Sequence, residues 1–264
     1  MIGAIVGDIV GSVYEWDNIK TKDFPFFRPD CFFTDDTVMT CAVYRAIRDF
    51  KDGSAADLDR TLTETMQLFG RRYPDRGYGG YFKRWIFSED PRPYNSFGNG
   101  SAMRVSAAGF LAESLEEARA LARSSAGVTH NHPEGIKGAV ATAEGIFLAR
   151  GGASLAEIRS ALSAYYDLDF TLDAIRPDYA FDVTCQGSVP QAVVAFLESE
   201  GFEDAVRNAI SIGGDSDTLA AITGSLAEGF YGVPDPIRQR ALSILDDGLR
   251  SLALTFPEPR RRRP

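Results

Sequence analysis

The chain has 264 residues and a formal charge of −9, set by 28 Lys+Arg against 37 Asp+Glu. An acidic body of this kind is repelled by a phosphate backbone, which argues against general nucleic-acid binding. Two His and three scattered Cys cannot build a zinc cage of four thiolates, or of two thiolates and two imidazoles. Any metal centre must therefore be made of oxygen ligands and hold a hard cation.

Hydrophobic residues make up 44% and charged residues 25%, as in ordinary globular domains. The odd set Cys31, Cys41 and Cys185 has no framework spacing, so a reduced, cytoplasmic setting is expected. The apolar start from Met1 lacks a basic region and is interrupted by Asp8, so it does not read as a signal peptide. No stretch reaches the ~20 apolar residues of a membrane span. The sequon Asn99-Gly100-Ser101 is then coincidental.

In chain order, Gly3, Ala4, Gly7 and Gly11 mark a small-residue helix that ends with Glu15. The aromatic segment from Phe24 to Phe33 is broken by Pro25 and Pro29 and reads as a loop. After Asp36, the residues Val38, Met39, Ala42, Val43, Ala46, Ile47 and Phe50 fall on one helix face. Leu111, Leu115, Ala118 and Leu121 repeat that pattern. Ala139, Ala141, Ala143 and Gly145 mark another small-residue helix. Ala192, Val193, Ala195 and Phe196 form a short apolar helix after Pro190. A further small-residue helix is expected over Leu219 to Phe230. The last pattern runs Ile237, Ala241, Ile244, Leu245, Leu249 and Leu252. Strand alternation is scarce. The expectation is an all-α, compact single-domain helical bundle over residues 1–256, monomeric, with small residues letting buried central helices approach closely. Residues 257–264 are expected to be a basic, disordered tail. Its run Arg260 to Arg263 reads as a weak electrostatic handle or a solvated end.

Two short segments carry the chemistry. Thr34-Asp35-Asp36-Thr37 precedes one helix, and Gly213-Gly214-Asp215-Ser216-Asp217-Thr218 precedes another. Either alone reads more readily as an N-cap, because Asp, Ser and Thr are the favoured cap residues and acids suit the positive helix end. Together they hold more acid than capping uses. Four carboxylates brought close strongly disfavour shared ionisation, and a pair of divalent cations removes that repulsion. Thr34 and Thr218 add neutral oxygens, a set suited to Mg2+ or Mn2+. Glu15 is a third acidic element that on its own reads as a solvent-facing residue. Asp8 reads as a capping or structural acid.

Three loops are candidate ligand cradles. Arg76-Gly77-Tyr78-Gly79-Gly80-Tyr81 and Phe97-Gly98-Asn99-Gly100-Ser101-Ala102-Met103-Arg104 have glycines that let backbone N–H groups approach an anion. Neither is a Walker motif or a dinucleotide fingerprint, and such loops are usually plain turns. The third is Thr129-His130-Asn131-His132-Pro133. Two His two apart do not share a helix face, which weakens a zinc reading. A ligand-contacting or structural His remains.

The order Glu15, Thr34-Asp35-Asp36-Thr37, Gly98 to Arg104, His130, then Gly214-Asp215-Ser216-Asp217-Thr218 resembles the ADP-ribosylglycohydrolase family. The resemblance spans residues 1 to about 232. It implies an all-α fold with a binuclear Mg2+ or Mn2+ centre held by Thr34, Asp35, Asp36, Asp215, Asp217 and Thr218. It implies that Glu15 is a mobile acid beside the metals, and that Glu15, Asp35 and Asp215 carry catalysis. Gly98, Asn99, Gly100, Ser101, Ala102, Met103 and Arg104 then correspond to the diphosphate and ribose cradle. Gly77, Tyr78 and Gly79 correspond to a second substrate loop, His130 to a residue near the distal ribose or phosphates, and Val183 to an apolar adenine contact. The chain departs from the pattern in a short Glu15-to-Thr34 spacer and in Asn131-His132-Pro133, which leaves the acceptor open. The implied activity is metal-dependent hydrolysis of the glycosidic bond between ADP-ribose and an acceptor. A non-catalytic ADP-ribose-binding module and a metal phosphoesterase acting on the diphosphate are the alternatives.

Overall fold

The computed structural model describes residues 1–50 and 53–257; apart from Pro257, the expected basic tail lies outside the described residues. Among the described residues there are fifteen helices and no strand. They begin with α1 (Ile2–Gly11), α2 (Asp35–Asp49), α3 (Ala55–Arg72), α4 (Gly80–Phe87), α5 (Gly100–Met103) and α6 (Ser106–Leu111). Next come α7 (Leu115–Gly127), α8 (Pro133–Arg150), α9 (Leu155–Leu162), α10 (Leu172–Ile175) and α11 (Cys185–Leu197). The chain closes with α12 (Phe202–Ser211), α13 (Ser216–Tyr231), α14 (Asp235–Ile244) and α15 (Asp247–Leu254). One isolated antiparallel bridge joins Gly98 to Thr184. The all-α expectation is met.

Hydroxyl caps start many of these helices. Ser54, Ser114, Ser154, Thr171 and Thr184 each accept a backbone N–H from the first turn they precede. Ser54 with Asp57 and Ser154 with Glu157 form complete capping boxes, which satisfy two otherwise orphaned donors each.

Helix α13 lies at the centre and packs on α1, α8, α11 and α12. Its crossing with α1 explains the small-residue stripe. A Cβ placed on Gly7 would fall 2.0 Å from the backbone oxygen of Ala220. Only glycine permits that approach. The result matters for chemistry, because it brings the end of α1 against the start of α13. The start of α2 is tied to the same place. The buried Asp8 carboxylate accepts Thr34 Oγ1 at 2.6 Å, Thr34 N at 3.0 Å and Thr37 N at 3.0 Å. Asp8 is thus a structural acid that fastens α2 to α1.

Four boundaries differ from the sequence expectation. The pattern through Leu111 and Leu121 is two helices, because Ser114 caps α7 afresh. The pattern from Ile237 to Leu252 is also two, divided where Asp246 accepts the N–H groups of Gly248 and Leu249. The apolar helix expected after Pro190 instead begins at Cys185 and contains the proline. The proline lacks only the N–H that would have donated to the Gln186 carbonyl, and the Thr184 cap fixes the start upstream of it. Glu15 also lies beyond α1, which stops at Gly11, on the turn that follows. No helix of the described residues is long and apolar enough to cross a membrane.

Candidate metal centre and substrate cradle

The start of α13 supplies two carboxylates. Asp215 is the N-cap residue, yet its side chain makes no capping hydrogen bond. Asp217 accepts only the N–H of its neighbour Thr218 among α13 backbone donors, at 2.9 Å. Both side chains are buried. The half-buried Glu15 joins them: each of Glu15, Asp215 and Asp217 offers an oxygen within 4.8 Å of the others. Capping, the simpler account of an acid before a helix, therefore does not explain Asp215.

The start of α2 faces the same space. Thr34 caps α2 by accepting the Asp36 N–H at 3.3 Å while donating to Asp8. Thr218 Oγ1 donates to Asp36 Oδ2 at 3.3 Å, and the buried Asp36 Oδ1 has no hydrogen-bond partner among the described residues. Asp35 is anchored through its N–H, which donates to the carbonyl of Arg76 at 2.7 Å. That bond also brings in the second glycine loop, where a Cβ on Gly77 would sit 3.2 Å from Asp35 Oδ1. Tyr78 is buried beside it and stacks obliquely on Phe82, whereas Gly79 is open.

The electrostatics follow from this crowding. Burial, followed by the charge of Asp217, pushes Asp35 and Asp36 well above the usual carboxylate range. Asp217 moves the same way, through burial and then Asp215. Asp215 is pushed up to about 6, chiefly by burial and against the Asn99 hydrogen bond. Glu15 rises to about 8 through burial, then through Asp217 and Asp8. Buried carboxylates that raise one another call for a compensating positive charge. All the donors are oxygens, and one buried carboxylate oxygen is unpaired. This set fits hard divalent cations such as Mg2+ or Mn2+.

The loop before α5 runs along one side of the cluster. Asn99 Nδ2 donates to Asp215 Oδ2 at 2.7 Å and to Ser188 Oγ at 3.1 Å. The loop is pinned by Asn99 N to the carbonyl of Val183 at 2.8 Å and by Cys185 N to the carbonyl of Phe97 at 2.9 Å. Across it stands the buried His130. A Cβ on Gly100 would fall 3.3 Å from His130 Nε2, so the glycines leave room for the ring to meet the loop backbone. His130 Nδ1 pairs with Thr129 Oγ1 at 2.7 Å, and burial followed by Arg104 holds its pKa well below the usual value. The ring is thus neutral.

A family model described as ADP-ribosylglycohydrolase matches residues 1–263. The chain belongs to this family. ADP-ribosylhydrolase ARH3 of Homo sapiens is 25% identical over 310 residues, covering 88% of this chain and 84% of that protein. ADP-ribosylhydrolase ARH3 of Xenopus tropicalis is 25% identical over 305 residues, covering 88% and 86%. A solved structure titled ADP-ribosylglycohydrolase-related protein complex superposes with a TM-score of 0.68 at 24% identity, covering 96% of this chain and 95% of that one. The likeness shows that the fold is shared.

Within the ADP-ribosylglycohydrolase frame, the other sequence candidates take distinct places. Arg104 is buried, donating to the carbonyl of Ser125 at 2.8 Å and to Thr129 Oγ1 at 2.7 Å. Its guanidinium lies over Phe82, and burial lowers its pKa to about 10. It sits behind the loop and, through Thr129, behind His130. Ser101 is likewise turned inward, donating to the carbonyl of Gly135 at 2.7 Å. Ala102 and Met103 are buried, with Met103 Sδ 3.9 Å from Thr218 Oγ1. Val183 is 51% exposed and fixes the loop through its backbone. His132, for which the spacing weakens a zinc reading, caps α8 by accepting the Glu134 N–H.

Some contributors escaped the sequence reading. Ser188 acts through Asn99, 89 residues away, and nothing local marks it. Asn18 is the second. It sits three residues after Glu15, and its partner Gly214 is 196 residues away.

Proposed function

We propose that this chain is a divalent-metal-dependent ADP-ribosyl glycohydrolase that cleaves the bond between the distal ribose and an acceptor and releases intact ADP-ribose. Family membership is consistent with hydrolysis of ADP-ribose linkages, and the relatives described above are named ADP-ribosylhydrolases. The observation that carries the reading is the convergence of Glu15, Asp215 and Asp217 within 4.8 Å, with Asp36 and Thr218 bonded beside them.

Thr34, Asp35, Asp36, Asp215, Asp217 and Thr218 would hold two Mg2+ or Mn2+ ions. When bound, such ions supply a Lewis acid for the ribose hydroxyls and a water of lowered pKa. The residues themselves divide the remaining work. Cleavage at the anomeric carbon passes through an oxocarbenium-like state that needs negative charge nearby and a proton for the leaving group. Asp215 and Asp217 are almost fully buried and Glu15 is only half-buried. Glu15 is therefore the acid that a leaving group entering from solvent meets first, which suits it to relay the proton. Gly98 to Gly100, with the neutral His130 opposite, would receive the diphosphate and ribose, with Asn99 joining that cradle to Asp215. Gly77 to Gly79 would close the site from the Asp35 side. Val183 would offer its exposed side chain to the base.

The test is a panel of substrates carrying ADP-ribose on arginine, on serine, on an acetyl ester and on a nucleic-acid end. Release of intact ADP-ribose from at least one of them, abolished by EDTA and restored by Mg2+ or Mn2+, is expected. Release of AMP would place cleavage at the diphosphate, and tight ADP-ribose binding without turnover on any linkage would indicate a binding module.

A further inference from the structure

The loop that delivers Asp215 turns on two glycines. Gly213 and Gly214 are consecutive residues with φ of 72° and 76°, in the left-handed region that glycine enters without a steric cost. Neither has a side chain with which to anchor the turn. The anchoring groups come from the segment after α1. Asn18 Oδ1 accepts the Gly214 N–H at 2.7 Å, and Asn18 Nδ2 lies 2.9 Å from the carbonyl oxygen of the same residue. One side-chain amide thus engages both backbone polar groups of Gly214.

The same Nδ2 is 2.7 Å from the carbonyl oxygen of Tyr14 and 2.9 Å from that of Glu15. An amide nitrogen carries two hydrogens, so these three acceptors share it. Asn18 therefore touches the backbone of Glu15 on one side and the residue before Asp215 on the other. Further contacts tie the same segment to its surroundings. Lys20 Nζ donates to the carbonyls of Ile212 and Tyr179. Trp16 stacks on Phe181 with centroids 5.1 Å apart.

We infer that Asn18 is a positioning residue that sets the Glu15 carboxylate against Asp215 and Asp217, so that this chain holds Glu15 in a braced turn. The inference rests on the proposed metal centre and concerns Asn18, which lies outside its ligand set. By tying the turn that carries Glu15 to the residue before Asp215, Asn18 keeps the three carboxylates together.

The experiment is a double-variant cycle read by calorimetric Mn2+ binding, with kcat and KM as a second readout. Asn18→Ala in the otherwise unchanged protein should weaken Mn2+ binding about tenfold or more, as removal of an orienting partner does. In a Glu15→Ala background the same change should cost less than it does in the parent, because the Glu15 part of the brace is already gone and only the Gly214 anchor remains to be lost. Activity should fall in kcat with KM nearly constant. Asn18→Asp keeps an acceptor for the Gly214 N–H but replaces the shared donor with a carboxylate aimed at three carbonyls. It should weaken binding like Asn18→Ala, and it serves if the alanine variant fails to fold. Equal loss from Asn18→Ala in both backgrounds, or no loss in either, would overturn the inference. A parent protein that binds no Mn2+ would instead overturn the metal reading beneath it.

Discussion

Asn99 donates its side-chain amide to Asp215 Oδ2 across 2.7 Å, joining the glycine loop to the carboxylate cluster. The bond is buried and is reinforced by Ser188 Oγ at 3.1 Å from the same nitrogen. A glycine loop and a charge cluster that share a hydrogen bond cannot move independently.

Replacing Asn99 with Ala removes the donor that orients Asp215. Divalent affinity should fall about 10- to 100-fold, the usual cost of losing an outer-shell partner. Calorimetric titration with Mn2+ checks this. An unchanged affinity would mean that Asp215 needs no orienting partner.

The packing of α1 on α13 makes a stability prediction. Gly7→Ala would place a methyl group 2.0 Å from the carbonyl oxygen of Ala220, a backbone atom that cannot step aside alone. Overpacking of a rigid contact costs about 1–3 kcal/mol, occasionally more. Urea unfolding of the metal-free variant should show that loss. Because the same helices present Asp8, Asp215 and Asp217, Mn2+ affinity should fall as well.

Much of this arrangement is legible in the sequence. The stripe Gly3, Ala4, Gly7 and Gly11 announces a close helix crossing, and the structure puts α1 against α13 along it. The two acidic segments at helix starts stand out because each carries more acid than a cap uses. The Asp215 side chain caps nothing, so capping does not account for it. Thr34 does cap, so capping accounts for part of the first segment. Asp8 is legible as structural from its place inside a helix. Helix ends are harder. Pro190 looks like a start but lies inside α11, since Thr184 caps upstream of it. Asn18 and Ser188 are invisible because their roles exist only between segments far apart in the chain. Nor does sequence reveal that Arg104, in a loop that looks like a phosphate cradle, turns its guanidinium into the core.

Glu15 gives a pH dependence to the metal-free protein. Its pKa in the fold is about 8 against an ordinary 4.5. Between those values the folded chain keeps a proton that the unfolded chain has lost, so stability falls as pH rises. The contribution is fully present below the ordinary value and gone once pH passes the folded one. Glu15→Gln removes this titration. In EDTA, the melting temperature of the parent relative to Glu15→Gln should decline between about pH 5 and pH 8. Parallel curves would show that Glu15 titrates normally.

The most direct test of the central claim pairs Asp215→Ala with Asp217→Ala in one protein and follows ADP-ribose release together with metal-free stability. Removing two buried acids that repel their neighbours should leave the metal-free melting temperature equal or higher. ADP-ribose release should vanish, and Mg2+ or Mn2+ should no longer raise the melting temperature. Release at the parent rate from this folded double variant would contradict the account.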